Sequence, residues 1–345
     1  MKICIYGAGA IGGYVAVELA KVPGIEVSVI ARGAHLAAIH RNGLVLRVEG
    51  TARTARMAAT DDPADLGPQD IVIVALKAHQ AWEVADQMAP LFGPHTSVVT
   101  CQNGVPWWYF HGLAGRFKDL RLNSVDRDNR QWDAIGPERA IGCVVYPATE
   151  IGEPGVIVHK YGNKFSIGEP SGADSERCRR LAEIMEAGGL KAPVLPNIRD
   201  EIWLKLWGNL CFNPISALTR ATLDIVATDP ATRALSAAMM AEAHEIATKL
   251  GAGFRVDMER RIKGAASVGA HRTSMLQDLE MGRMMEIDAL VTAVQELGRL
   301  VEVETPYLDA VLGLVQQLGR SNGLYPTFPD SRGIGQDTVK ALAVA

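Results

Sequence analysis

The sequence predicts an α/β protein in which a doubly wound sheet domain is followed by an all-helical C-terminal domain. In the first half of the chain, short apolar runs alternate with helical periodicity, which is typical of parallel sheets built from strand–helix–strand units. In the second half, long helical patterns cover residues 200–250 and 280–320, and little strand signal remains. Two prolines in "KAPVLPNI" mark the change. We therefore expect domains at residues 1–195 and 196–345.

A glycine-rich turn joins the first strand to the first helix. "KICIYG" is a short apolar strand, and the G-x-G-x-x-G spacing follows it directly. Such glycines allow a tight turn, close approach of a pyrophosphate and close helix–strand packing, while the helix N-terminus offers N–H groups to the phosphates. This context favours a Rossmann-type, dinucleotide-binding domain over a purely structural turn. The expected cofactor-binding residues here are Gly7, Ala8, Gly9, Ala10, Ile11 and Gly12.

The end of the second strand indicates which nicotinamide cofactor is bound. In "GIEVSVIAR" the strand ends at Ala31 and Arg32, where NAD-binding sites place an acidic residue for the ribose 2′-hydroxyl. A guanidinium without that carboxylate suits a 2′-phosphate, because arginine binds phosphate through two hydrogen bonds. The alternative is a solvated surface arginine. We expect NADPH/NADP+ as the cofactor, with Arg32 at its phosphate.

Further strands are predicted at "GLVLRVEG", "DIVIVAL" and "TSVVTCQNG", with a helix from Gln80 to Pro90 between the last two. Lys77 and Asn103 follow two of these strands, and ligands bind outside the carboxyl ends of parallel strands. Both residues are therefore candidates for the cofactor site, although a solvated loop position explains Lys77 almost as well. From residue 139 onward, turn residues recur every few positions, which predicts antiparallel strands that extend the sheet.

A polar stripe runs through the apolar helix "EIWLKLWGNLCFNP". Lys205, Asn209 and Asn213 recur every four residues, so they drift by only about 80° around the helix. Burial of an unpaired amide or ammonium costs several kcal/mol, so the stripe either faces solvent or lines a polar cavity. Pro214 is expected to end or kink the helix just after it.

A second polar set lies in "HRTSMLQDLEMGRMMEID", which contains Ser274, Glu286 and Asp288 in a Met-rich stretch. Glu286 stands between Met285 and Ile287, where a core-facing turn would exclude an acid. The alternative is a solvated helix face. The tail from Ser321 is polar and rich in glycine and proline, so we expect a loosely held end.

Taken together, these motifs resemble those of the ketopantoate reductase (2-dehydropantoate 2-reductase) family. The motifs are GxGxxG, LKxxQ, QNG, KxxxNxxxNP, and SMLQD followed by ExD, in this order and over nearly the whole chain. The resemblance implies an NADPH-binding Rossmann domain and a helical domain that completes the substrate cleft. It also implies that the enzyme makes pantoate for pantothenate and coenzyme A biosynthesis.

The resemblance implies a role for each polar residue. Lys205 matches the catalytic lysine and Glu286 the catalytic glutamate, while Arg32 and Lys77 match positions that approach NADPH. In such a reaction Lys205 would protonate the carbonyl oxygen as hydride reaches the ketone carbon, and Glu286 would orient the lysine or a substrate hydroxyl. The implied substrate-binding residues are Asn103, Lys205, Asn209, Asn213 and Ser274.

Two segments depart from the family pattern. After "QNG" the chain continues with the long aromatic segment "VPWWYFHGLAGRFKDLRLNSVDRDNRQWD", and "CVVYPATE" stands where many relatives carry Thr-Thr-His-Gly. At least one indole of Trp107 and Trp108 lines the substrate site, or both pack as core. Three functions remain open: ketopantoate reduction, reduction of another 2-oxo acid or ketone, and non-catalytic nucleotide sensing. Intact Lys205 and Glu286 argue against the last.

Composition excludes several other classes of protein. The chain of 345 residues is 48% hydrophobic and has a net charge of −4, so nucleic acid and anionic membranes are not expected partners. No apolar run approaches the roughly 18–20 residues of a membrane span, and a strand that begins at Lys2 leaves no room for a signal peptide. Five unpaired cysteines predict reduced thiols. We expect a soluble, cytoplasmic monomer or homodimer that binds a small 2-oxo acid and no metal.

Overall fold

The computed structural model describes residues 1–326, which form two compact units. The first unit contains residues 1–102, 108–120 and 129–198. The second unit contains residues 103–107 and 121–128 together with the chain from Arg199 onward. Two short segments that precede residue 195 in sequence therefore belong to the second unit. Of the predicted loosely held tail, residues 327–345 lie outside the described part of the chain.

The first unit contains the strands of two sheets. They are β1 (Lys2–Tyr6), β2 (Glu26–Ile30), β3 (Leu44–Val48), β4 (Thr51–Ala55), β5 (Ala58–Thr60), β6 (Gln69–Val74), β7 (Phe92–Thr100), β8 (Ala140–Val145), β9 (Ala148–Glu153), β10 (Val156–Tyr161) and β11 (Phe165–Gly168). The larger sheet has the order β11-β8-β7-β6-β1-β2-β5 and is parallel except for β11, which pairs antiparallel with β8. Its central strands are buried on both faces, as their continuous Val/Ile runs predict. The predicted doubly wound sheet is confirmed.

A separate four-stranded sheet, in the order β4-β3-β10-β9, corrects one expectation. The strands after residue 139 were expected to extend the main sheet, but only β8 and β11 join it. Strand β10 instead pairs parallel with β3, with Val156 opposite Val45, and antiparallel with β9. The smaller sheet packs on the first helix, because a Cβ at Gly13 would lie 2.7 Å from Ile157. Such a long-range pairing has no local sequence signal.

Five α-helices belong to the described part of the first unit: α1 (Ala10–Leu19), α2 (Gly33–Asn42), α3 (Ala78–Ala81), α4 (Arg130–Ile135) and α5 (Glu176–Ala187). The helical stretch predicted from Gln80 to Pro90 is confirmed, but most of it is a 3₁₀ helix, since α3 ends at Ala81 and the 3₁₀ helix covers Trp82–Leu91. Further 3₁₀ turns lie at Pro63–Asp65, Gly115–Phe117 and Pro137–Arg139. Another covers Arg127–Asn129, of which the first two residues belong to the second unit.

The second unit contains helices and no strands in its described residues, as predicted. Its helices are α6 (Ile198–Thr219, entered from the last residue of the first unit), α7 (Leu223–Thr228), α8 (Pro230–Lys249), α9 (Met258–Ala266), α10 (Ser274–Glu280), α11 (Ala293–Leu300) and α12 (Pro306–Ser321), and a π-helical turn at Asp288–Thr292 leads into α11. Pro214 does not end α6, which continues to Thr219, and a kink at Pro214 stays a prediction. Trp203, Trp207 and Cys211 are buried on its apolar side.

The two tryptophans that follow Asn103 are buried. Trp107 is 2% exposed and Trp108 is 1% exposed. The Trp108 indole donates to the Thr100 hydroxyl at 2.9 Å, and a Cβ at Gly142 would lie 2.7 Å from its ring. These contacts support the interpretation of the tryptophans as core. Across residues 1–326, none of the helices combines the length and apolar character that a membrane crossing requires.

Candidate active site

Close packing at Gly7 and Gly12 and open space at Gly9 characterise the glycine-rich turn. Gly7 has a φ of 100°, a conformation that favours glycine, and a Cβ there would lie 2.7 Å from Leu76. A Cβ at Gly12 would lie 2.0 Å from the Gly7 carbonyl oxygen, so this glycine allows α1 to pack closely. At Gly9, the N-cap of α1, a Cβ would meet nothing within 4 Å. The turn thus leaves open space before the helix N-terminus, which a phosphate group fits.

A histidine holds this turn in place. His35, on α2, lies 2.7 Å from the Ala8 carbonyl oxygen through Nε2, and its Nδ1 accepts the Gly155 N–H at 3.0 Å. Because a backbone N–H can only donate, Nδ1 must carry the lone pair and Nε2 the proton that Ala8 accepts. Both bonds are satisfied only by the neutral Nε2–H tautomer. His35 thereby ties the glycine turn to the hairpin between β9 and β10.

Arg32 lies at the carboxyl end of β2, next to the same turn. The N–H groups of Gly7 and Ala8 both donate to the Ile30 carbonyl oxygen, at 3.1 and 3.0 Å. Arg32 follows two residues later in extended backbone, as the N-cap of α2, and its side chain is exposed. An exposed guanidinium can bind a phosphate group through two hydrogen bonds.

Lys77 lies beyond the carboxyl end of β6, as expected, and is half-buried at the start of α3. It affects the neighbouring His79. Burial, and secondarily the charge of Lys77, lowers the pKa of His79 to about 4. His79 is therefore neutral at pH 7, and Lys77 carries the positive charge at this sheet edge.

The second unit brings together three polar residues from distant parts of the sequence. The Lys205 ammonium donates to the Asn103 side-chain oxygen at 2.7 Å. The Asn103 amide nitrogen in turn donates to a Glu286 carboxylate oxygen at 3.4 Å. Since an ammonium can only donate, Lys205 fixes which end of the Asn103 amide faces it, and the other end points to Glu286. We call these three residues the Lys205–Asn103–Glu286 network.

The rest of the stripe on α6 is also removed from bulk solvent. Asn213 is 5% exposed, and its amide nitrogen donates to the Ser274 hydroxyl at 3.3 Å. Asn209 is half-buried between Lys205 and Asn213. Glu286 is 9% exposed and lies on irregular backbone before the π-helical turn, not on a helix face. These positions exclude the solvated-face alternatives for Asn213 and Glu286.

This geometry suits proton transfer to a carbonyl group. An ammonium oriented by an amide oxygen can hydrogen-bond a carbonyl oxygen, stabilise the charge that grows there and deliver a proton. The amide of Asn213 and the hydroxyl of Ser274 can each donate to a carboxylate. Arg32, Lys77 and the glycine turn belong to the first unit, and the other predicted site residues, including Asn103, belong to the second.

Sequence reasoning missed several residues that shape these sites. His35 was not found, because a single histidine in a helix gives no local signal of its contacts. Asn103 was assigned from its place after a strand, and its bridge between Lys205 and Glu286 had no sequence signal. The spacing of Glu286 and Asp288 was noted, but the contacts of Asp288 were not foreseen.

Comparisons with known proteins identify the family. Residues 3–172 match the family model for ketopantoate reductase PanE/ApbA, and residues 197–319 match the model for its C-terminal region. The 2-dehydropantoate 2-reductase of Mesorhizobium japonicum is 58% identical over 325 residues, which is 94% of this chain and 100% of that protein.

Solved structures agree with this assignment. A crystal structure from Ralstonia solanacearum MolK2, provisionally named a ketopantoate reductase, is 43% identical with a TM-score of 0.90, over 94% of this chain and 99% of that one. The PanE/ApbA family ketopantoate reductase from Ralstonia eutropha JMP134 is 26% identical with a TM-score of 0.80, over 94% and 100% of the two chains. The chain therefore belongs to the ketopantoate reductase family, a family of pyridine-nucleotide-dependent oxidoreductases.

Proposed function

We propose that the protein is an NADPH-dependent ketopantoate reductase in which Lys205 donates the proton. The observation that carries this proposal is the 2.7 Å hydrogen bond from Lys205 to Asn103, which itself donates to Glu286. General acid catalysis needs an acid held at a defined position, and the network supplies one. The 58% identity to a named 2-dehydropantoate 2-reductase supports ketopantoate as the substrate.

In the proposed reaction, bound NADPH supplies the hydride that reduces the ketone carbon. Lys205 hydrogen-bonds the ketone oxygen, stabilises its growing negative charge and delivers the proton. Asn103 holds the ammonium at that position, and Glu286 keeps the Asn103 amide from rotating. The product is the 2-hydroxy acid pantoate.

The substrate carboxylate is assigned to donors farther along α6. Asn213 and Ser274 already share a hydrogen bond of 3.3 Å, so both groups point to one place. Asn209 lies one turn from each of its neighbours in the stripe and supplies a further amide. Two or three neutral donors bind a carboxylate without neutralising the nearby lysine.

NADPH is assigned to the first unit. The turn from Gly7 to Gly12 would hold the pyrophosphate, because Gly9 faces open space at the N-terminus of α1. Arg32 would bind the 2′-phosphate, since Ala31 and Arg32 offer no carboxylate to the ribose. Lys77 would approach the same cofactor from the end of β6.

The proposed setting is the cytoplasm, where pantoate serves pantothenate and coenzyme A biosynthesis. The five cysteines are all buried and form no disulfide, and burial raises the pKa of both Cys4 and Cys211 to about 12. Cysteines without disulfides suit a reducing compartment. We propose a monomer or homodimer as the working form.

Reduction of another 2-oxo acid or ketone is the second candidate function. It is favoured by one observation, the Val145–Tyr146 sequence at the end of β8, which departs from the family pattern. Val145 is buried, and the Lys164 ammonium lies 4.3 Å from the centre of the Tyr146 ring. A non-catalytic nucleotide sensor has no use for the Lys205–Asn103–Glu286 network, so we set it aside.

The test is a substrate panel with purified protein, in which NADPH consumption is followed with ketopantoate, 2-oxoisovalerate and pyruvate. We expect the highest kcat/KM with ketopantoate. Lys205→Ala should lower kcat by about two to four orders of magnitude, with NADPH affinity little changed. The matched control is Lys263→Ala, an exposed lysine on α9. A better substrate than ketopantoate would favour the second candidate, and near-normal turnover by Lys205→Ala would reject the lysine as proton donor.

A further inference from the structure

The residues of the Lys205–Asn103–Glu286 network do not all lie on regular elements. Lys205 is on α6, but Asn103 lies in a turn after β7 and Glu286 on irregular backbone. Catalysis needs such groups to be held within a fraction of an ångström. The position of Asn103 and Glu286 must therefore come from contacts that hold these two irregular segments.

The π-helical turn at Asp288–Thr292 connects the two segments. The Val105 N–H donates to the Ala289 carbonyl oxygen at 2.9 Å. Gly104 has a φ of 90°, and a Cβ there would lie 2.2 Å from the same oxygen, so only glycine allows this approach. The turn that carries Asn103 therefore rests on the residue three positions after Glu286.

Asp288 holds the π-helical turn together. Its carboxylate oxygen Oδ1 accepts from the Thr292 hydroxyl at 2.7 Å, which links the first and last residues of the turn. The same oxygen accepts from the Tyr325 hydroxyl at 2.6 Å. A backbone hydrogen bond also joins the two segments, since the Met285 N–H donates to the Leu324 carbonyl oxygen at 3.3 Å.

Tyr325 is itself placed with precision by α12. It is 6% exposed, and its hydroxyl accepts from the Gln316 amide nitrogen at 3.1 Å. Arg320 lies over its ring at 5.4 Å and donates to Gln316 at 3.3 Å. A Cβ at Gly319 would lie 2.5 Å from the Tyr325 Cβ, so only glycine fits at this position. The buried Tyr325 hydroxyl accepts from Gln316 and donates to Asp288, so it links α12 to the π-helical turn.

Resting on the proposed function, we propose that Tyr325 is a positioning residue for catalysis, acting through Asp288 and the π-helical turn on Asn103. The path runs from the Tyr325 hydroxyl to Asp288, from the turn to Val105, and from there to the amide that orients Lys205. The segment after α12 thereby determines the geometry of the Lys205–Asn103–Glu286 network, although it touches no reacting atom.

The first measurement is hydrogen–deuterium exchange of the Val105 amide, which reports the Val105–Ala289 bond and does not depend on activity. Tyr325→Phe keeps the ring and removes the donor to Asp288, and Thr292→Val removes the second donor. We expect each change to speed exchange at residues 103–107 by about tenfold or more. The control is Tyr307→Phe, at an exposed tyrosine on α12, which should leave this exchange unchanged.

The second measurement is turnover with ketopantoate, well below the melting temperature of each variant. We expect kcat to fall about 5- to 50-fold in Tyr325→Phe, with the KM for NADPH within about twofold of the parent. Unchanged Val105 exchange overturns the proposal, and so does faster exchange with an unchanged kcat. If the parent does not reduce ketopantoate, the proposed function fails, and the exchange of Val105 then decides the coupling by itself.

Discussion

The ammonium of Lys205 donates to the side-chain oxygen of Asn103 at 2.7 Å, although 102 positions separate the two residues in sequence. Asn103 has only one amide, and that amide also donates to Glu286 at 3.4 Å. Its two ends are therefore used by two charged groups of opposite sign. An asparagine is the smallest side chain that can serve both at once.

Removal of this bridge should reduce turnover while leaving cofactor binding intact. In Asn103→Ala the lysine loses the acceptor that Asn103 provides, so we expect kcat to fall about 10- to 100-fold, because a misplaced acid transfers its proton less efficiently. Steady-state kinetics with saturating NADPH measure this. Asn42→Ala, at an exposed asparagine that ends α2, is the control and should behave like the parent. A kcat within twofold of the parent would remove Asn103 from the proposed mechanism.

Cofactor preference should depend on Arg32. Loss of one guanidinium–phosphate contact costs roughly 1.5–3 kcal/mol, so Arg32→Ala should raise the KM for NADPH about 10-fold or more and leave that for NADH nearly unchanged. The control is Arg41→Ala, at an exposed arginine on α2, the helix that Arg32 precedes. Equal kcat/KM with NADPH and NADH in the unmutated protein would contradict the assignment.

His35 should affect both cofactors alike, because it supports the pyrophosphate turn and not the 2′-phosphate. His35→Ala removes the bonds to Ala8 and Gly155, and we expect the Kd of NADPH and of NADH to rise by a similar factor of about 5–20. Fluorescence titration measures both constants. His40→Ala on the same helix, where the ring contacts the Ala59 carbonyl, is the control. A selective loss of NADPH binding would contradict this role.

Acid should destabilise the protein through His79. Burial lowers the pKa of this histidine from 6.5 to about 4. Between these values the unfolded chain binds more protons than the folded one, so the free energy of unfolding falls as the pH falls. The contribution is fully present above pH 6.5 and is lost on the way down to about pH 4.

The change His79→Gln should flatten this dependence by roughly 1–3 kcal/mol between pH 7 and pH 4, allowing for partial exposure. Urea unfolding at several pH values within the window measures it, with the exposed His40→Gln as the control. Parallel curves for parent and His79→Gln would show that another group carries the acid sensitivity.

Much of this protein was predictable because the relevant signals are local. The spacing of Gly7, Gly9 and Gly12 follows from the steric needs of one turn, and the doubly wound sheet and the helical second half follow from the periodicity of apolar residues. The motifs around Lys205 and Glu286 indicated the family. The domain boundary at 195/196 stays a prediction. The compact units do not divide the chain at one point, because residues 103–107 and 121–128 belong to the second unit.

Tertiary structure decided everything that depends on partners far apart in the chain. The pairing of Val156 with Val45, the burial of Trp107 and Trp108, and the His35 bridge have no local pattern. The hydrogen bond from Tyr325 to Asp288 has no local pattern either. Local sequence sets the conformations open to each segment, but the free energy of burying a polar group depends on which distant group meets it. For that reason the sequence by itself identified the family and predicted its reactive residues, while only the folded chain determined what contacts those residues make.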